Sequence, residues 1–291
     1  MNGHDTMAHR GPGVAALVAA LLLAGAALAG CTDDAGSPEP ASPSTSASPS
    51  ESAPTSPSPS AVVSPERPDK DGCHLLTYDE AIAPVVAGTE VPCRQRHTAQ
   101  TFRIGRLDLV ADGHLRAVDS PDVQADVART CTSSLGDHVG GTLEDRRLSM
   151  VQAVWFTPSV EDAAAGADWF RCDVVALASA GQLLPLPRST RGLVGSSDRL
   201  AMCSTAEPGT GAFERVPCGV GDHAWRAIST VDLPGSAYPS AGEAGSRMES
   251  ACRSAARAQA DDPLDFTWSE ERPTQVQWDA GQHYGICWVP D

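Results

Sequence analysis

Residues 280–287 read Ala-Gly-Gln-His-Tyr-Gly-Ile-Cys, and residues 165–172 read Ala-Gly-Ala-Asp-Trp-Phe-Arg-Cys. In both stretches an aromatic follows the glycine by three positions and a cysteine follows it by six. Working outward, Val91-Pro92-Cys93 is followed by His97, and Val216-Pro217-Cys218 by His223. An extended segment comes next in each copy, holding Phe102 and Ile104 or Trp225 and Ile228. Between these landmarks each copy carries one helical pattern. Val123, Val127, Cys131 and Leu135 recur every four residues, as do Ala244, Met248 and Cys252, which marks one buried helix face. Ser120 with Pro121, and Ser240 with Glu243, read as helix starts. Self-similarity of this kind signals two copies of one module.

The chain has 291 residues and a formal net charge of −16, which argues against a nucleic-acid or anionic-lipid surface, since both need clustered Lys and Arg. Its first thirty residues read as an export leader, with a polar start containing Arg10 and an apolar run from Val14 to Leu28. That run is short for a membrane span. It ends in Leu28-Ala29-Gly30-Cys31, which resembles the lipobox of bacterial lipoproteins. The resemblance implies that Cys31 receives a diacylglycerol and holds the chain on the extracytoplasmic face of the cell membrane. Residues 31–70 are dominated by Ser, Pro, Ala and Thr. Such a stretch buries too little apolar surface to offset its ordering entropy and reads as a disordered tether. Its reach runs from ~35 Å as a coil to ~100 Å fully extended.

Nine cysteines minus Cys31 leave Cys73, Cys93, Cys131, Cys172, Cys203, Cys218, Cys252 and Cys287, two sets of four in matching context. Outside the cytoplasm an even set means disulfides. A cysteine on a buried helix face opposite one on a strand suggests Cys131 with Cys172 and Cys252 with Cys287. Cys73 with Cys93 and Cys203 with Cys218 would remain. Four cysteines admit three connectivities, and the other two stay open. The expected fold is α+β: two tandem small disulfide-stapled modules, residues 71–180 and 199–291, each a short antiparallel sheet with one main helix. Pro185, Pro187 and Gly192 lie in the connection near residues 181–198.

The Val-Pro-Cys followed by His, the cysteine in the middle of each helix and the closing Gly-x-x-aromatic-x-x-Cys together resemble the septum formation family of actinobacterial envelope proteins. The likeness covers both modules. Trp278 stands before the second closing motif where the first copy has Ala163, and the step from cysteine to histidine differs by one residue between copies. The resemblance implies an envelope protein linked to division-site biology. It implies no reaction, and of residues only the disulfide framework and the recurring histidine.

Cys93 with His97 and Cys218 with His223 have spacings seen in zinc sites, but oxidised thiols are disulfide partners rather than metal ligands. His97 and His223 are expected to orient the turn before a strand; recognition through these rings, with Trp278, is the sharper alternative. No nucleophile elbow is present, and Gly195-Ser196-Ser197 reads as turn chemistry. Asp261, Asp262 and Asp265, or Glu270 and Glu271, are the carboxylates that a glycosidase would have to pair. Solvated loops are the simpler home for them. Trp155, Trp169, Trp225, Trp268, Trp278 and Trp288 flank the repeated motifs and are expected mostly in the core. The sequence thus predicts a non-enzymatic, lipid-anchored envelope protein without metal or cofactor. It would bind or scaffold peptidoglycan or a membrane protein complex. A wall-acting enzyme and a redox- or pH-sensing ectodomain are the alternatives.

Overall fold

In each half of the chain a cysteine-bearing interior strand of a sheet is stapled to a helix lying across it. The computed structural model describes residues 66–85 and 88–291. The leader, Cys31 and the tether as far as residue 65 lie outside the described residues. Chain order in the first half is β1 (Cys73–Leu75), α1 (Tyr78–Ala81), β2 (Thr89–Val91), β3 (Ala99–Arg106), β4 (Val110–Ala111), β5 (His114–Leu115), α2 (Pro121–Val139), α3 (Leu143–Arg147), β6 (Val151–Phe156), α4 (Val160–Ala164), β7 (Trp169–Ser179) and β8 (Gln182–Leu183). After one 3₁₀ turn at Asp198–Leu200 come β9 (Met202–Ser204), β10 (Arg215–Pro217), β11 (Trp225–Asp232), α5 (Ala241–Gln259), β12 (Ser269–Glu271), α6 (Gln275–Asp279) and β13 (Tyr284–Pro290). No described helix is long and apolar enough to cross a membrane.

The fold is α+β, and the two antiparallel sheets have the same strand order. The first runs β2-β1-β3-β7-β6, with β8 added to β7; the second runs β10-β9-β11-β13-β12. Even the irregularity repeats: a bulge interrupts the pairing of β3 with β7 between Thr101 and Arg103, and that of β11 with β13 between Ala227 and Ser229. Phe102 and Ile228 are the bulged residues. Gly166 and Gly281, which open the closing motifs, both adopt the left-handed backbone that glycine enters without a Cβ penalty (φ 102° and 96°).

Each long helix presents the face its periodicity predicts. Val123, Val127, Cys131 and Leu135 of α2 are buried, as are Ala244, Met248, Cys252 and Ala256 of α5. At the start of α5, Ser240 and Glu243 form a reciprocal capping box. Ser120 occupies the cap position of α2 but its hydroxyl caps nothing, so the fixed φ of Pro121 sets that start instead. Each cysteine pairs with its neighbour in sequence. Cys131–Cys172 joins α2 to β7 and Cys252–Cys287 joins α5 to β13, while Cys73–Cys93 and Cys203–Cys218 close the short strand pairs. A bridge closing a loop of this size contributes roughly 2–4 kcal/mol by restricting the unfolded chain.

The described residues belong to one compact unit. Residues 184–194 form a strap on the first sheet rather than a free linker. Leu184, Leu186 and Val194 are buried in its core, and the Leu186, Gly192 and Val194 amides donate to the carbonyls of His97, His138 and Val139. The chain then crosses directly to the second sheet: Met150 N donates to Leu200 O and Met202 N to Leu148 O, both at 2.8 Å. Met150, Met202, Ala227, Ile286 and Trp288 make one apolar cluster across this seam. Beside it α3 grips β11. Glu144 accepts from the Thr230 amide at 2.7 Å and from its hydroxyl at 2.5 Å, Arg147 bonds Asp232 at 2.8 Å, and the Arg147 guanidinium lies 4.2 Å over the Tyr284 ring.

The seam should couple the two sheets in unfolding. A single urea transition is expected for the intact chain. Glu144→Ala, which removes two hydrogen bonds to a charged acceptor, should lower unfolding stability by about 1.5–3 kcal/mol, read from tryptophan fluorescence.

Candidate functional site

The seam leaves a recess between the sheets. β6, the end of β7 and the turn at Ala180 form one wall, and β10, β12 and α6 form the other. The recess encloses about 320 Å³. Its floor is apolar: Met150, Leu177, Met202 and Phe213, with the Phe213 ring set edge-on against Trp288 at 5.5 Å. Its rim is polar, with Tyr78, Gln152, Gln277 and an ion pair. In that pair Arg215 Nη2 donates to Glu271 Oε1 at 2.6 Å and its Nε reaches both carboxylate oxygens at 3.1 Å. The two strands of the pair are not neighbours in the sheet, so the fork spans them. Across the recess the Ala180 amide donates to Glu214 at 3.1 Å, fastening the two walls together. An apolar floor with a few fixed polar groups is the usual make-up of a ligand-binding recess.

A second polar cluster is sealed inside the first sheet, on the face away from α2. Thr101 Oγ1 donates to Asp173 Oδ1 at 2.8 Å, so its oxygen accepts from His74 Nε2 at 3.2 Å. Arg171 Nη2 stands 3.0 Å from Asp173 Oδ2, off the line of a hydrogen bond, and its guanidinium lies 4.4 Å over the Phe156 ring. Arg171 and Asp173 are 1% and 0% exposed. Burial raises the Asp173 carboxyl to about 6 against the pull of Arg171 and Thr101. Burial, then the charges of Arg171 and His97, lower His74 to about 4.

The residues singled out from sequence fall in different places. His97 is 1% exposed; its Nδ1 meets Gln95 O at 2.9 Å and its Nε2 meets Pro187 O at 3.1 Å. It pins the turn before β3 to the strap and offers no ring edge for surface recognition. Trp278 is also interior, stacked on His283 at 4.1 Å. His223 is half-buried and bonds Asp291 Oδ2 at 2.7 Å, while Arg226 holds the same carboxylate through two bonds, so the ring fastens the end of β13 to the start of β11. Cys203, His223 and Asp291 bring possible ligand atoms within 4.8 Å, but the Cys203 sulfur is bonded to Cys218. The Cys93 and Cys218 sulfurs beside His97 and His223 are likewise committed to disulfides. Of the carboxylates, Glu271 pairs with Arg215, Glu270 with Arg272, and Asp261, Asp262 and Asp265 are exposed. The recess was not legible in the sequence. Met150, Gln152, Phe213 and Gln277 carry no shared motif, and their one signal was the repeat itself, which sets two sheets side by side.

Fold and site together define a disulfide-stapled α+β protein of two like sheets joined along a seam that carries a recess. A profile of the Septum formation family matches residues 73–287, from the first of the eight paired cysteines to the last. The chain belongs to the Septum formation family. No curated protein and no solved structure matches it.

The buried cluster makes opposing contributions to acid stability. Between pH of about 4 and 6 the folded chain keeps an Asp173 proton that the unfolded chain has lost, so this group's contribution falls as pH rises. Between about 4 and 6.5 the unfolded chain protonates His74 while the folded chain does not, so that contribution rises with pH. Urea midpoints across this window should therefore climb more steeply with pH in Asp173→Asn, and less steeply in His74→Asn, than in the unsubstituted chain.

Proposed function

We propose that this chain is a non-enzymatic lipoprotein of the cell envelope that binds or scaffolds a partner in septum formation. Cys31 carries the lipid anchor on the extracytoplasmic face of the cell membrane, and the Ser/Pro-rich segment holds the folded part away from the bilayer. The inter-sheet recess is the binding surface, and its partner is peptidoglycan or a membrane protein complex. The observation that carries this reading is the make-up of the recess. Its apolar floor is framed by the Arg215–Glu271 ion pair and by Glu214, whose carboxylate is held by the Ala180 amide, an arrangement suited to holding a ligand rather than moving protons. Among the described residues the strongly perturbed Asp173 and His74 are walled off inside the first sheet, where no substrate reaches them.

The test is site-specific photo-cross-linking in cells from Gln152 and Gln277, with the exposed loop residue Asp265 as control and Cys31→Ala to remove the anchor. Recurrent capture of one division or wall-synthesis protein, or of wall material, from the two recess positions but not from Asp265 is the expected result, lost or weakened without the anchor. Equal capture from all three positions would remove the recess from the reading. Soluble fragments released from purified wall by the protein would replace scaffolding with a wall-acting enzyme.

A further inference from the structure

The first sheet carries a second recess, independent of the inter-sheet one. It lies where the C-terminal turn of α2 meets β3 and the strap, beside Lys70, and encloses about 320 Å³. Its charge is opposite to that of the chain. Lys70, Arg103 and Arg191 line it against a single carboxylate, Asp137, in a protein whose net charge is −16. Among the described residues no carboxylate forms an ion pair with any of the three cations. An acidic chain has ample carboxylates to neutralise them, so their convergence without partners leaves a local positive potential open to an incoming anion.

The recess is also held in shape by a buried network. Gln100 Oε1 accepts from the Thr190 amide and hydroxyl, both at 2.7 Å. The Thr190 oxygen therefore accepts from His138 Nε2 at 2.8 Å, which fixes the ring in its Nε2–H form when neutral. Gln100, Thr190 and His138 are all buried. The network locks the strap that carries Arg191 against the helix that carries Asp137. Arg103 is positioned separately, its Nη1 donating to Ser134 Oγ at 2.9 Å, which leaves its other guanidinium donors for a ligand. Burial first, then Arg191 and Lys70, hold the His138 ring below the usual histidine range, against the opposing pull of Asp71. The ring thus registers the same positive field while itself staying uncharged at neutral pH.

We propose that this recess binds a phosphate ester. Three cations against Asp137 leave a net charge of +2, which a phosphate monoester at about −1.5 to −2 comes close to balancing, and guanidinium groups meet its oxygens in forked pairs. A volume of about 320 Å³ exceeds what a bare phosphate needs, leaving room for the glycerol or sugar that carries it, with Phe102 and Ile104 as an apolar wall. A lipid headgroup and a soluble or polymer-borne phosphate present the same chemistry.

The test uses the full chain carrying Cys31→Ala, so that no lipid tail contributes to binding. Inorganic phosphate and glycerol phosphate are titrated calorimetrically at low ionic strength. In parallel, the protein is floated with vesicles of phosphatidylglycerol in phosphatidylcholine or of phosphatidylcholine alone. Saturable binding of glycerol phosphate is expected, weaker for inorganic phosphate, and lowered by about tenfold or more in K70E/R191E, whose two side chains are exposed and can be replaced without disturbing the core. Unchanged circular dichroism in that variant separates loss of the site from loss of the fold, and R191K should retain part of the affinity. Flotation only with phosphatidylglycerol, abolished by K70E/R191E, would assign the phosphate to a lipid; binding in solution without flotation would assign it to a soluble or polymeric ester. Absence of saturable binding in every arm, or equal binding by K70E/R191E, overturns the proposal.

Discussion

A sheet with one helix on it has a second face, and the interior strand that carries the helix-linked cysteine needs that face covered. β7 and β13 are buried on both sides, with Cys172 and Cys287 pointing to the helix and the flanking residues pointing away. The two halves meet this requirement differently. In the first, the segment around α1 folds back over the sheet, placing Leu76 and Ala81 against Phe156 and Val175. In the second, the cover is the first half itself, through Met150 and its neighbours. The alternation that puts every other residue of a strand on one face therefore dictates how the halves join.

The same positions carry opposite chemistry for that reason. Arg171 and Asp173 flank Cys172, and Ile286 and Trp288 flank Cys287. Ile286 and Trp288 are the apolar surface that the seam needs, and each is fully buried there. Arg171 and Asp173 sit under a cover of their own, where an ion pair costs desolvation that its mutual attraction only partly offsets. Thr101, His74 and the Phe156 ring satisfy part of what burial removes, and the shifts of Asp173 and His74 record the remainder.

Local chemistry was legible in the sequence and long-range placement was not. The helix faces of α2 and α5, the strands around Cys93 and Cys218 and the doubling of the whole pattern follow from periodicity and spacing, which act over a few residues. The expectation that His97 orients the turn before β3 needed only its spacing from Cys93; that its ring also meets the Pro187 carbonyl, ninety residues away, could not be read from any local pattern. The cationic recess likewise draws Lys70, Arg103 and Arg191 from three separate segments, and nothing in any one of them marks the meeting point.

The seam also bears on what the duplication can mean. If the halves were independent, cutting between them would expose only a linker. Cutting near residue 196 would instead strip the second sheet of the cover over Ile286 and Trp288, since Leu148 and Met150 bond directly to Met202 and Leu200. The first half would lose the partner of α3, leaving Glu144 and Arg147 with nothing to grip. The halves are alike in topology but not interchangeable, because buried Arg171 and Asp173 of the first stand where the second has Ile286 and Trp288. The family match from Cys73 to Cys287 takes in both halves.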